Sequence, residues 1–117
     1  LARRLRRGSI WTVAGGGSYA GKPRPAVIVQ DDRFDRTASL TVVPFTSDLT
    51  EAPLIRLLVA PSVSNGLEMP STMMVDKVTT VPKSRFGRRI GQLSDEDMIR
   101  LTRALVVFLG VAGAGAR

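Results

Sequence analysis

Two runs decide how this chain is read: PAVIVQ, from Pro25 to Gln30, and LTVVPFT, from Leu40 to Thr46. Each is a continuous apolar stretch of strand length, too short for a helix and rich in β-branched residues. Continuous rather than alternating apolar character predicts strands covered on both faces. Pro44 interrupts the second run, and a residue without an N–H predicts an edge position or a bulge there. Working outward, SIWTV from Ser9 to Val13 reads as another short strand. Ile55 to Pro61 (IRLLVAP), Ser71 to Val78 (STMMVDKV) and Phe86 to Leu93 (FGRRIGQL) complete a series of six.

The period then changes. Ser94 is followed three residues later by Asp97, with Asp95 and Glu96 between, a capping-box pattern with acids crowded into the first turn. Met98, Leu101, Leu105, Val106, Phe108 and Leu109 recur at helical spacing, and Gly110 is a natural stop. The expectation is one domain over residues 1–117: a basic arm at 1–7, a small barrel or strongly bent sheet at 8–93, a C-terminal helix at 94–110 and a tail at 111–117.

Composition narrows the chemistry. The 117 residues hold 17 Lys and Arg against 10 Asp and Glu, a net charge of +7, with no His and no Cys. Without Cys there is no disulfide scaffold, thiolate metal site or cysteine nucleophile. Without His, Ser-His-Asp hydrolysis and HExxH metalloprotease chemistry are closed. Arginine supplies 14 of the 17 positive charges, which favours phosphate recognition because a guanidinium is a planar, bidentate donor. LARRLRR at the start lacks a following apolar segment of signal-peptide type. Ala104 to Ala116 is the most apolar stretch, yet it is too short and glycine-rich to span a bilayer. A soluble, cytoplasmic protein without a membrane partner is expected.

Three local patterns can carry chemistry. In GKPRP, Pro23 and Pro25 pin the backbone around Arg24 at a strand mouth, under the glycine-rich loop Ala14 to Gly21. That loop is not a P-loop, since no GK[ST] follows at the required spacing. Thr46, Ser47 and Asp48 place two hydroxyls and an acid where a strand leaves the sheet, a pattern equally suited to ordinary turn chemistry. Arg85, Arg88 and Arg89 extend a basic surface. Tyr19, Trp11 and Phe34 are the candidates for stacking on bases, with Trp11 and Phe34 reading more readily as core.

Together, GSIWTV, GKPRPAVIVQ, LTVVPFTSD and VDKVTTVPKSRFGRRIGQLSDEDM resemble, in order and from Arg7 to Leu109, the MazF/PemK family of bacterial toxins. The resemblance implies an SH3-like barrel of five to seven short strands with a C-terminal amphipathic helix. It also implies a metal-independent, cofactor-free endoribonuclease that forms a homodimer and is silenced by an acidic antitoxin. By that resemblance Arg24, Thr46 and Asp76 are the catalytic residues, with Asp76 the candidate base. Val75 stands where some members carry an arginine, and Lys77 where Gln is common. The substrate implied is single-stranded RNA, cut by attack of its own 2′-OH to leave 2′,3′-cyclic phosphate and 5′-OH ends. Tyr19, Lys22, Ser47, Lys77 and Arg85 are the RNA-binding candidates. A CcdB-like gyrase poison, an inactive RNA-binding module and an antitoxin decoy remain as alternatives.

Overall fold

The computed structural model describes residues 4–15, 22–111 and 113. Seven short strands run β1 (Ser9–Val13), β2 (Arg24–Ile28), β3 (Ser39–Thr46), β4 (Arg56–Val59), β5 (Ser71–Met74), β6 (Thr79–Pro82) and β7 (Phe86–Gln92), followed by one helix, α1 (Asp95–Phe108). All pairings are antiparallel, in the order β4-β5-β3-β2-β1-β7 with β6 beside β3. The sheet is open, but the three-residue 3-10 turn Lys83–Arg85 joins β6 directly to β7 and curls the ends toward each other. This is the small barrel with a terminal helix that the strand series implies.

β2 and β3 are buried on both faces, as their unbroken apolar runs require. Val27, Val29, Val43 and Phe45 belong to one cluster with Leu57, Val59, Met73 and Leu101. The alternate residues Ala26, Ile28, Leu40 and Val42 form a second with Trp11, Val81 and Phe86. Helix α1 covers the first cluster through Leu101 and Ala104. Its start follows the capping pattern: the Ser94 hydroxyl accepts the Asp97 N–H at 3.1 Å.

Pro44 meets the sheet differently from the edge or bulge expected. β3 is an interior strand, flanked by β2 on one side and by two partners on the other. β6 pairs with Ser39 to Val42 and β5 with Phe45 and Thr46, so Pro44 sits in the gap where one partner has ended and the next has not begun. A residue without a donor costs nothing there. The strand expected at Ser71 to Val78 also divides: β5 stops at Met74, Val75–Lys77 form a 3-10 turn, and β6 follows as a separate strand.

Arg7, at the end of the expected basic arm, is bonded into the fold. The Arg7 guanidinium donates to the Val29 carbonyl and, at 2.8 Å, to the Thr102 hydroxyl, while its N–H donates to Asp32 at 2.8 Å. Arg7 thereby ties the chain start to β2 and α1. Trp11 is core, only 4% exposed. Its indole N–H donates to Ser9 Oγ at 2.9 Å, and its ring meets Phe86 edge-on at 6.4 Å. Phe34 is exposed, with the Arg33 guanidinium 5.7 Å from its ring centre.

Candidate active site

Register builds the site. Val13 pairs with Arg24 across β1–β2, and Thr46 pairs with Thr72 across β3–β5. The β2–β3 ladder sets Ala26 opposite Pro44. Continued two residues, it brings Arg24 opposite Thr46 at the mouth of both strands. Arg24 and Thr46 thus lie two residues past the last pair of that ladder, Ala26–Pro44, and both border the same open surface. KPRP delivers the arginine because Pro23 fixes the approach and Pro25, the next rung of the ladder, lies opposite Thr12.

Two grooves meet along this pair. The larger, about 780 Å³, runs over the edge of the first cluster, past Phe45, Leu67 and Ile90; Lys22, Ser47, Glu68, Ser71 and Arg88 also line it. The smaller, about 570 Å³, opens over the end of the second cluster and is lined by Lys22, Lys77, Thr79, Thr80 and Arg85. Arg24 and Thr46 border both. Lys22, Ser47, Lys77 and Arg85 thus lie around the pair that the sequence singled out. Tyr19 lies outside the described residues, and neither Trp11 nor Phe34 lines a groove.

Arg24 is exposed and makes no hydrogen bond or ion pair among the described residues. Its donors therefore face the grooves uncommitted. The Thr46 hydroxyl oxygen accepts the Asp48 N–H at 3.1 Å, which fixes the side chain and leaves the O–H free to donate. Asp48 accepts both the N–H and the hydroxyl of Thr50, at 2.9 and 2.6 Å. Those bonds hold its carboxyl below the usual carboxylate range. The acid in Thr46-Ser47-Asp48 thus serves the turn, one half of its reading from sequence.

Asp76 is set apart from Arg24 and Thr46. Arg56 of β4 grips both of its carboxylate oxygens, at 2.8 and 3.0 Å, and Asp76 lines neither groove. The Arg56 hydrogen bonds hold its carboxyl below the ordinary value, and the same pairing raises Arg56. A carboxylate so stabilised is a poor proton acceptor. The pair instead anchors the 3-10 turn Val75–Lys77, whose last residue, Lys77, reaches the smaller groove.

Sequence reasoning passed over one wall of the larger groove, the loop from Ala60 to Pro70. Its centre is Asn65, 4% exposed. The Asn65 side-chain oxygen accepts the N–H groups of Ser62 at 2.9 Å and Leu67 at 3.0 Å, and its amide nitrogen donates to the Ala60 carbonyl at 2.9 Å. Gly66, at φ +69°, passes so close to β7 that a Cβ would come within 1.8 Å of the Ile90 carbonyl oxygen. Only glycine fits. The signal available in sequence was Asn65-Gly66, a dipeptide that favours tight turns.

Comparison with known proteins agrees with the geometry. Residues 6–109 match the family described as PemK-like, MazF-like toxin of type II toxin-antitoxin system. The chain is 57% identical over 109 residues to the "Probable endoribonuclease MazF" of Mycolicibacterium smegmatis, spanning 93% of this chain and 100% of that protein. It is 32% identical to "Endoribonuclease MazF9" of Mycobacterium tuberculosis, over 90% and 96% of the two chains. Among solved structures, a mycobacterial endoribonuclease in complex with its cognate antitoxin superposes with a TM-score of 0.72, at 24% identity, over 90% of this chain and 94% of that one. With strand order, terminal helix and nearly the whole sequence in agreement, the chain belongs to the PemK-like, MazF-like toxins of type II toxin–antitoxin systems.

Proposed function

We propose that the protein is the endoribonuclease toxin of its toxin–antitoxin pair and cuts single-stranded RNA at a phosphate seated between Arg24 and Thr46. The observation that carries this reading is the juxtaposition of an uncommitted guanidinium and a free hydroxyl donor at the meeting of two grooves. In the reaction the 2′-oxygen attacks the adjacent phosphorus as the 5′-oxygen departs. A proton leaves the 2′-oxygen and another reaches the 5′-oxygen, giving a 2′,3′-cyclic phosphate and a 5′-OH end. No protein nucleophile or metal ion is needed for that chemistry. The demands are in-line alignment and neutralisation of the charge that builds on the phosphorane oxygens. Arg24 supplies the charge and Thr46 a neutral donor, while Lys22, Lys77, Arg85 and the Ser47 hydroxyl hold the strand on either side.

An acidic antitoxin segment is the natural silencer, since it would fill a groove lined by Lys22, Lys77 and Arg85 with opposite charge. Two copies of the chain are expected to associate. Leu58 of the outer strand β4 and Ile99, Val107, Phe108 and Leu109 of the helix region stand exposed, more apolar surface than a solitary small protein usually presents. Its place of action is the cytoplasm, where the RNA substrate is found.

The test is cleavage of a long unstructured RNA in EDTA by wild type and Arg24→Ala, with the fragment ends mapped. Discrete cuts bearing 5′-OH ends, slowed about a hundred- to a thousandfold in Arg24→Ala, are the expected result. Cutting that needs added metal, or that survives in Arg24→Ala, removes the reading.

A further inference from the structure

Among the described residues, Glu68 is the only carboxylate lining either groove. It has no hydrogen-bonding or ion-pair partner there. Its presence is unexpected on electrostatic grounds. The grooves otherwise carry Lys22, Arg24, Lys77, Arg85 and Arg88, and a phosphate about 4 Å from a carboxylate is repelled by about 1 kcal/mol even in water. A fixed acid therefore marks a part of the groove where the sugar-phosphate backbone does not run.

The acid is also held in place. It follows Leu67, which is buried in the first cluster, on the loop fastened by Asn65 and pressed against β7 at Gly66. Gly91 makes the reciprocal approach: a Cβ there would lie 2.2 Å from the Asn65 carbonyl oxygen. The Gln92 N–H adds a bond to the Ser64 carbonyl at 2.8 Å. That support fixes the backbone from which the exposed Glu68 side chain reaches into the groove. A carboxylate only accepts hydrogen bonds, so its partner on RNA is a donor, either the ribose 2′-OH or an N–H group of a base. Only the second carries sequence information, through the amino and imino groups of the bases.

We propose that Glu68 is a base-reading residue: in the larger groove it accepts from the exocyclic amino group of a nucleotide flanking the cut and selects an amino-bearing base over uracil. Guanine, with N1–H and N2–H side by side, matches the two carboxylate oxygens best; cytosine and adenine offer the amino group alone. The lysine- and arginine-lined smaller groove carries no carboxylate among the described residues and tracks the backbone. The inference rests on the ribonuclease reading and adds to it which wall carries sequence information.

A degenerate RNA pool cut by wild type, Glu68→Gln and Glu68→Lys, with all 5′-OH ends sequenced, tests this. One flanking position should favour amino-bearing bases over uracil by about five- to a hundredfold in wild type. Both variants should lose most of that preference while keeping the motif at other positions. Two outcomes overturn the proposal: an unchanged motif cut at a new rate, which makes Glu68 an electrostatic bystander, and equal loss at every site with unchanged discrimination in binding, which puts it in the chemistry. Binding of paired oligonucleotides that differ at that position, blocked by a 2′-deoxy sugar at the cut, reads the same discrimination without turnover. Discrimination without cutting would then count against the ribonuclease reading and not against this one. Matched thermal melting of the variants excludes unfolding as the cause of either result.

Discussion

Thr46 holds two jobs with one hydroxyl: its oxygen closes a turn on the Asp48 N–H, and its hydrogen faces the groove. Thr46→Val should therefore lower the cleavage rate about a hundredfold, whereas Thr46→Ser keeps most of it; a single-turnover time course separates the two. Arg24 and Thr46 were legible because the features that place them are local: two prolines around one arginine, and hydroxyls at the end of an apolar run. Glu68 was not. The nearby Asn65-Gly66 signals only a turn, and the place of Glu68 in the groove comes from contacts between Asn65, Gly66 and β7 that bring chain segments some 25 residues apart together. Asp76 is the complementary case, named from the family resemblance. Its ion-pair partner Arg56 lies on β4, 20 residues away in sequence, and only the fold brings the two together.

At the level of elements, the Arg56–Asp76 pair joins β4 to the turn that separates β5 from β6. The native state holds the Asp76 carboxyl below its ordinary value. The bond thus contributes fully above the unfolded value near pH 4 and is lost as pH falls through the lower folded one. Asp76→Asn should cost about 1–2 kcal/mol at pH 7, and the difference from wild type should shrink as the pH drops below about 4. Denaturant unfolding at pH 7 and pH 3 measures both. The boundaries of β1 and α1 were legible from the chain because glycine punctuation and a cap mark them. The division of Ser71 to Val78 into β5, a 3-10 turn and β6 was not, since Val75 is apolar and buried exactly as a strand residue would be. The partner change beside Pro44 is likewise a long-range event. A proline reports only that a donor is missing, not which of several arrangements has no use for it.

For the whole molecule, the exposed apolar surface on β4 and the end of α1 leads to a prediction about mass. Light scattering in dilute buffer should give about twice the 12.6 kDa of one chain, and Phe108→Glu, a change on a 44% exposed side chain, should shift it toward the monomer while leaving the circular dichroism of the folded chain unchanged. A monomeric wild type would leave that surface to a different partner. The overall architecture was the most legible property of all, because strand-length apolar runs followed by one capped helix admit few compact arrangements.

Arg24 and Thr46 stand where the β2–β3 ladder ends, outside both apolar clusters. If the chemistry sits at these two residues, as proposed above, folding and toxicity are separable in this chain, because the site draws on almost none of the packing that holds the barrel together. A copy disarmed at Arg24 would still carry Lys22, Lys77 and Arg85 along the groove that an acidic silencing partner would fill. Expressed in excess, such a copy is bait. It would soak up the antidote and leave intact siblings unrestrained, so a loss of activity at the strand mouth becomes a gain of harm for the cell that carries both.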